Sequence, residues 1–320
     1  MTGTPPHPAL VERRTIAGAS AVLLPLHDDG SIDWAGFEAH LAHTVDAGLV
    51  PAVNMDTGFG PFLDASDRAR VLDVARALHR PFIAGVHVDD EPGDAFELTE
   101  LVAAAEVVAG SGATPILFPC HGLADAPDDT ILGAHAAVAE RVGDVLSFEL
   151  GPMFHPAGRI YSATLFESLL GIDGVVGLKH SSLRRDLEWE RLAIRNRVRP
   201  AFRLMTGNDL AIDMVVYGSD YLLGLSTFAP DAFAARDTAW AAGDVARFWE
   251  LNDLLQYLGQ FAFRAPVPAY RHDAAMFLEL RGWIGSDRTH ARSPQRPASD
   301  RDVLADVAKR LDALLVSYPG

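Results

Sequence analysis

Cysteine is almost absent: Cys120 is the only one in 320 residues. A single thiol cannot build an internal disulfide framework, and this usage suits a reducing compartment. Long hydrophobic runs are missing as well, since nothing approaches the ~20 apolar residues that span a bilayer. Residues 1–14 hold prolines and charges but no apolar segment of a secretory signal, so no signal peptide is expected. Positive charge is scarce. Lys and Arg total 27 against 43 Asp and Glu, a net charge of −16. That balance argues against nucleic acid and membrane surfaces as partners. It leaves room for an anionic small molecule, because a local site can be basic within an acidic surface. Low-complexity repeats and a second domain are also lacking. A cytoplasmic protein is expected.

What is present is a sizeable core: 49% of residues are hydrophobic and 22% charged. Apolar runs bounded by glycine and polar turns predict strands over residues 18–26, 49–54, 81–86, 114–118, 144–150, 174–182, 202–206 and 221–225. Helical patterns alternate with them. The first, capped by Ser31 or Asp33, runs to Ala47 and is ended by Gly48. Others are predicted over 66–79 (capped by Ser66), 97–109, 130–141, 163–170, 185–197, 210–217 and 231–242. Eight strand–helix pairs within roughly 250 residues suit an α/β fold of the (β/α)8, or TIM, barrel type. A doubly wound open sheet is the alternative from the same alternation. The expected organisation is a leader over 1–17, the barrel over 18–242 and a helical extension over 243–320 packed on it. That extension has predicted helices over 245–263, 273–281 and 300–315, and a Pro/Ser/Arg-rich loop over 285–299.

One strand carries an oddity. In Gly174-Val175-Val176-Gly177-Leu178-Lys179-His180-Ser181-Ser182 the last inward position of an apolar run is a lysine. Burying an ammonium is costly unless it is paired or deprotonated. Such a lysine either snorkels out at the strand end or loses its proton and attacks a carbonyl as a neutral amine. Barrel chemistry gathers at the C-terminal strand ends. Those ends supply Asp56 and Thr57, His87 with Asp89 and Asp90, Cys120 with His121, Glu149, Lys179, and Gly207-Asn208-Asp209. Strands end where water begins, so polar residues there are common. Lys179 and Glu149 stand out because each lies within or directly after an apolar run.

Several of these segments resemble one family. Leu24-Pro25-Leu26-His27-Asp28-Asp29-Gly30-Ser31-Ile32-Asp33 resembles an opening "TPF-DGSID" element, and Phe82-Ile83-Ala84-Gly85-Val86 a "VIAGVG" strand. Gly174 to Ser182 resembles "IVGIKDSS", and Leu204-Met205-Thr206-Gly207-Asn208-Asp209 resembles "LLSGDD". Tyr217 to Ser226 is similar to "LGADGVIS", and Ala265-Pro266-Val267-Pro268-Ala269-Tyr270 falls where "NPIPVKAAL" is expected. On these matches, which span nearly the whole chain, the sequence resembles a divergent member of the dihydrodipicolinate synthase and N-acetylneuraminate lyase superfamily of Schiff-base barrel aldolases. The resemblance implies that Lys179 forms an imine with the ketone of a 2-oxo acid, with no cofactor and no metal. It also implies a homo-oligomer, a tetramer or a dimer.

The departures shape the expected site. The family's carboxylate-holding "GTTGE" loop is here Met55-Asp56-Thr57-Gly58-Phe59, keeping Thr57 and Gly58 and bringing in Asp56. The family's proton-shuttling tyrosine falls at Glu149, with Phe154 or Tyr161 as alternatives if the gap within 151–160 is shifted. Glu149, with a pKa raised by an apolar strand end, is the expected acid or base; His121 is the second proton carrier. Arg159 is a candidate clamp for a distal carboxylate, Ser181 and Asn208 with Gly207 are candidate lining residues, and Cys120 reads as packing. The leading reading is a lyase, aldolase or dehydratase, acting on a 2-oxo acid or hydroxylated keto or sugar acid and unlike authentic dihydrodipicolinate synthesis. Two others stand beside it: a metal-assisted enzyme using Asp56, His87, His121 and Glu149, and an inactive barrel that binds a metabolite.

Overall fold

The computed structural model describes residues 7–317. Eight parallel strands close into a barrel in sequence order, with the first hydrogen-bonded to the last. They are β1 (Gly18–Ala21), β2 (Val50–Val53), β3 (Ile83–Val86), β4 (Thr114–Leu117), β5 (Val145–Leu150), β6 (Val175–Ser181), β7 (Arg203–Thr206) and β8 (Asp220–Leu223). The helices are α1 (Trp34–Asp46), α2 (Ala65–Ala77), α3 (Leu98–Gly110), α4 (His121–Ala124), α5 (Asp128–Val142), α6 (Ala163–Leu169), α7 (Arg185–Val198), α8 (Pro230–Ala242), α9 (Val245–Ala262), α10 (Tyr270–Leu280) and α11 (Asp300–Val316).

Strand alternation builds two cores. Ala19, Ala21, Ala52, Ile116, Leu146, Phe148, Met205 and Leu222 fill the barrel, while Val145, Val175, Leu178 and Leu204 face the helices. Most expected elements are found, with shorter strands. Residues 22–26 leave the sheet after β1, although the Val22 amide still donates to Ala52 at 3.0 Å. Asp33 caps α1 through the Gly36 amide at 2.8 Å. Asp64 rather than Ser66 caps α2, through the Asp67 amide at 2.8 Å. Residues 212–217 form a tight 3-10 turn instead of an α-helix. Another difference is at α10, which starts at Tyr270, three residues before the acidic residue that signals a helix start in the sequence.

The segment before β1 is tied to the barrel: Val11 donates to Val216 at 2.8 Å, and Arg14 bonds Asp220 at 2.6 Å. Residues 1–6 of the expected leader lie outside the described residues. After the barrel, α9 packs on α8, and α11 packs on both α10 and α9. The 285–299 loop is anchored by Arg296, a buried side chain that donates to Asp273 at 3.0 Å and to the Ala262 and Arg264 carbonyls at 2.7 Å each. No helix among the described residues is long and apolar enough to cross a membrane.

Barrel closure depends on one bare backbone position. A Cβ on Gly18 would lie 2.2 Å from the Tyr221 hydroxyl oxygen, across the β1–β8 seam. Tyr221 cannot yield freely, because it is buried and donates to Asp237 at 2.8 Å. Gly18→Ala is therefore expected to cost about 1–3 kcal/mol by overpacking, read as a lower denaturant midpoint. An unchanged midpoint would show that the seam has slack.

Candidate active site

The site begins with the pleat of β6. Leu178 faces the helices, so Lys179 and Ser181 point into the barrel mouth. Lys179 is 4% exposed, and its amine sits 4.4 Å from the centroid of the Phe148 ring, its neighbour on β5. Among the described residues that amine has no hydrogen-bond or ion-pair partner. Burial pushes its pKa down from the ordinary lysine range, and the charges of Asp56 and Asp209 hold back part of the shift. The result is a dry amine biased toward its neutral, nucleophilic form.

Gly207 makes room for it. A Cβ there would lie 2.0 Å from Ser181 Oγ and 2.8 Å from Lys179 Cε. Ser181 Oγ is buried without a hydrogen-bond partner among the described residues. Asn208 shapes the turn that follows: its side-chain oxygen accepts from the Leu210 amide at 3.1 Å. That turn presents Asp209, a buried carboxyl accepting from the Leu225 amide at 2.7 Å. Burial raises its pKa to about 7, with the Leu225 amide and Lys179 opposing and Asp56 adding to the rise.

On the opposite wall stands a network of two hydroxyls and a carboxylate. Tyr270, the first residue of α10, donates its phenol proton to Asp56 Oδ2 at 2.9 Å. Its oxygen is also 2.8 Å from Thr57 Oγ1. With the phenol proton committed to Asp56, the Thr57 hydroxyl is the donor in that second bond. All three residues are buried. Among the described residues the Thr57 and Gly58 amides donate to nothing in the protein. Free amides beside a hydroxyl can receive a carboxylate. Gly58 also fits closely, since a Cβ would stand 2.8 Å from the Val22 carbonyl oxygen.

Glu149 corrects the expectation drawn from sequence. It pairs in register with His180, and both face outward toward α7, away from the mouth. Its carboxylate is bonded to His180 Nδ1, to Arg191 at 2.8 Å and to the Tyr161 amide at 2.9 Å. Burial alone would raise its pKa, but His180 and Arg191 outweigh burial and hold it below the ordinary range. A committed carboxylate of this kind braces the back of the lysine strand; it is no acid for the mouth. The same strand pleat removes the four-residue metal set, because Glu149 points away from Asp56. Among the described residues no group of three or more His, Cys, Asp or Glu is placed to hold a metal ion.

The other expected residues are spread around the mouth. His121 opens α4, half-buried, with its ring 5.8 Å from that of His155. Both line a polar cavity above β3 and β4 rather than the lysine itself. Arg159 is already engaged, donating to Asp128 at 2.8 Å and to the Ala126 carbonyl at 2.6 Å, so it is not a free clamp. Tyr161 is half-buried on the helix side, its ring edge-on to His135, and Phe154 packs against both cores. Cys120 is buried, its thiol pushed up to about 11 by burial, as suits a packing residue. The sequence reading missed Tyr270 as a site residue. Its position in a tail motif was legible, but nothing local says that the first turn of α10 reaches the mouth.

Removing one partner from a buried ion pair costs about 3–5 kcal/mol, so Glu149→Gln should lose stability of that order in denaturant unfolding at pH 7. The depressed carboxylate contributes above the unfolded pKa of about 4.3 and loses its contribution as pH falls through the lower folded value. The gap between wild type and variant should therefore close in acid. Equal stabilities at neutral pH would refute the bracing role.

Comparison with known proteins bears on the fold and the family. The chain is 34% identical over 186 residues, 55% of its length and 53% of the other's, to a Streptomyces avermitilis protein described as "Probable 5-dehydro-4-deoxyglucarate dehydratase 2". It thus spans about half the length of that curated relative. It is 26% identical over 251 residues to the 4-hydroxy-tetrahydrodipicolinate synthase of Kosmotoga olearia, covering 73% of this chain and 78% of the other. The fold superposes on the sialic acid aldolase of Ruminococcus gnavus with a TM-score of 0.77 at 16% identity, covering 96% of this chain and all (100%) of that one. A family model described as "Protein of unknown function (DUF993)" matches residues 7–308. The chain belongs to that family, a divergent branch of the dihydrodipicolinate synthase and N-acetylneuraminate lyase superfamily.

Proposed function

We infer that this protein is a Schiff-base-forming lyase, an aldolase or dehydratase, acting on a 2-oxo acid or a hydroxylated keto acid. The observation that carries the reading is the buried Lys179 amine above Phe148, without a hydrogen-bond or ion-pair partner among the described residues. The relatives described as a dehydratase and an aldolase support the same class of chemistry. In this reading the substrate carboxylate rests on the Thr57 and Gly58 amides and the ketone carbon meets Lys179. The amine adds to the carbonyl and water leaves, giving a protonated imine that acts as an electron sink. Loss of the proton on the adjacent carbon then yields an enamine, which expels a β-hydroxyl as water. Alternatively, cleavage of the next carbon–carbon bond yields the enamine directly.

Proton transfer falls to the wall facing Lys179. Tyr270, polarised by Asp56 and by the Thr57 hydroxyl, takes the place expected for Glu149. Asp209, with a pKa of about 7, can exchange a proton near neutrality. A cytoplasmic enzyme assembled from two or four copies completes the proposal; the acidic net charge and the superfamily resemblance support it.

Two experiments test it. Incubation with 2-oxo acids plus borohydride should add one reduced adduct at Lys179, and Lys179→Ala should abolish it. Peptide mapping is unambiguous, because the only other lysine in the sequence is the exposed Lys309. A protein that stays unmodified with every candidate acid would be a binder without imine chemistry. Tyr270→Phe should keep the adduct yet reduce turnover about 10²- to 10⁴-fold, the range for a lost proton-transfer group. Retained turnover would remove Tyr270 from the mechanism.

A further inference from the structure

Among the described residues the buried arginines are Arg191, Arg236, Arg247, Arg271 and Arg296. Four of them have a carboxylate within ion-pair distance, in Glu149, Asp237, Glu250 and Asp273. Arg271 does not. It is 4% exposed, and among the described residues its guanidinium makes one hydrogen bond, from Nε to the Pro268 carbonyl at 3.1 Å. Its two terminal nitrogens have no partner there. A charge taken out of water is costly unless an opposite charge meets it. Neighbouring acids are already engaged: Asp273, on the same turn of α10, belongs to Arg296 at 3.0 Å and Arg264 at 3.5 Å, and Asp287 to Arg301 at 3.4 Å.

Aromatic rings hold this cation in place. Its centre lies 5.4 Å from the Phe62 ring, 5.7 Å from Phe59 and 5.9 Å from Tyr270. Stacking uses the flat face of a guanidinium and leaves its N–H edges available. A second cation shares the Phe62 ring. Arg292 is exposed, stands 4.5 Å from that ring and has no acid partner among the described residues. Asp90 and Glu91, which border a polar cavity with Arg292, form no ion pair with it there.

His290 completes the cluster, its ring 5.2 Å from that of Phe62. Its Nδ1 accepts from the Arg292 amide at 3.2 Å, which puts the proton on Nε2 and makes that atom a donor. Burial, with the charges of Arg292 and Arg271, lowers its pKa and keeps the ring neutral. Two guanidinium groups and an imidazole N–H are all donors. The loop that carries Arg292 and His290 is pinned by the Gln295–Thr289 bond of 2.7 Å and by buried Arg296. In a chain of net charge −16, two such cations around one ring call for an anion.

The cluster lies to one side of the imine chemistry. Successive residues of an α-helix project about 100° apart. Tyr270 sends its hydroxyl to Asp56 and Thr57, while Arg271 turns toward Phe62 and the 285–299 loop.

We propose that Arg271, Arg292 and His290 form a binding site for a phosphate group, free or carried on a metabolite, separate from the site of the keto acid. Two uncompensated guanidinium charges match a dianion. A phosphate also has enough acceptor oxygens to serve two forks and an imidazole together, where a carboxylate has two.

The test titrates inorganic phosphate, glycerol phosphate, acetate and chloride at constant ionic strength, reading the denaturant midpoint at a pH where phosphate is doubly charged. Millimolar phosphate should raise the wild-type midpoint, by mass action on the folded state, while acetate and chloride should not. Either phosphate compound acting at the lower concentration supports the site; glycerol phosphate first would mean a carried group, inorganic phosphate first the free ion. Arg271→Met keeps much of the volume without the charge. It should abolish the phosphate effect and, with no phosphate present, be at least as stable as wild type. Arg292→Gln, at the surface, should keep the anion-free midpoint and raise the half-effect concentration about 10- to 100-fold, the equivalent of a lost charge-assisted hydrogen bond. Phosphate that acts no better than chloride, or equally on wild type and both variants, would overturn the site. Separateness is read by borohydride trapping of a 2-oxo acid at Lys179, whose half-saturating concentration phosphate should leave unchanged. Competition there would overturn a separate site. A missing adduct would refute the imine reading and leave the phosphate titrations to decide this one.

Discussion

A single inversion of facing between neighbours on β6 governs the molecule's chemistry. Lys179 turns inward to a dry mouth while His180 turns outward to the Glu149 carboxylate. The pair cannot exchange roles, since a one-residue slip of the strand would bury the lysine among the helices and bring the imidazole into the barrel. Glu149 and Arg191 fix that register from behind. Alongside them, Glu188 accepts from Thr206 at 2.8 Å and from the Ser219 hydroxyl at 2.6 Å, linking α7 to β7 and the turn before β8. These buried polar groups are costly to desolvate, and complete hydrogen bonding makes them tolerable. What they secure is the orientation of an amine one residue away.

Carboxyl groups around the barrel divide by the company they keep. Glu149 is equally buried but flanked by a guanidinium and an imidazole, so it stays charged and structural. Asp209 has a backbone amide and a distant ammonium, and burial dominates. Similar burial therefore yields a brace in one place and a group titrating near neutrality in another, as the balance of desolvation and nearby charge requires.

The C-terminal extension is more than a cover for the barrel. Its helix α10 carries the phenol that reaches Asp56 and Thr57, and its 285–299 loop carries Arg292 to the rim of the polar cavity. In this chain the hydroxyl that meets Asp56 and Thr57 comes from the extension and not from the loop after β5. Tyr270 opens α10 directly after the 3-10 turn Val267–Ala269.

Closure into a barrel, which the same alternation shares with a doubly wound sheet, came from the β1–β8 pairing. The sequence alone determined the alternation of strands and helices and the lysine at an inward strand end. Each follows from periodicity and burial, which are local along the chain. It also carried the Gly-Asn-Asp turn, whose glycine is dictated by the space that Lys179 and Ser181 occupy. Tertiary structure decided which polar residues at the strand ends belong to the site. Glu149 and Lys179 both lie in or directly after apolar runs, yet strand pleat and register send one to the helices and the other to the mouth. Tyr270 and Asp56 are 214 positions apart in sequence, and no local pattern encodes their 2.9 Å contact. Only the packing of α10 against the barrel brings that hydroxyl to the carboxylate, because side-chain convergence between distant segments is set by the core they share.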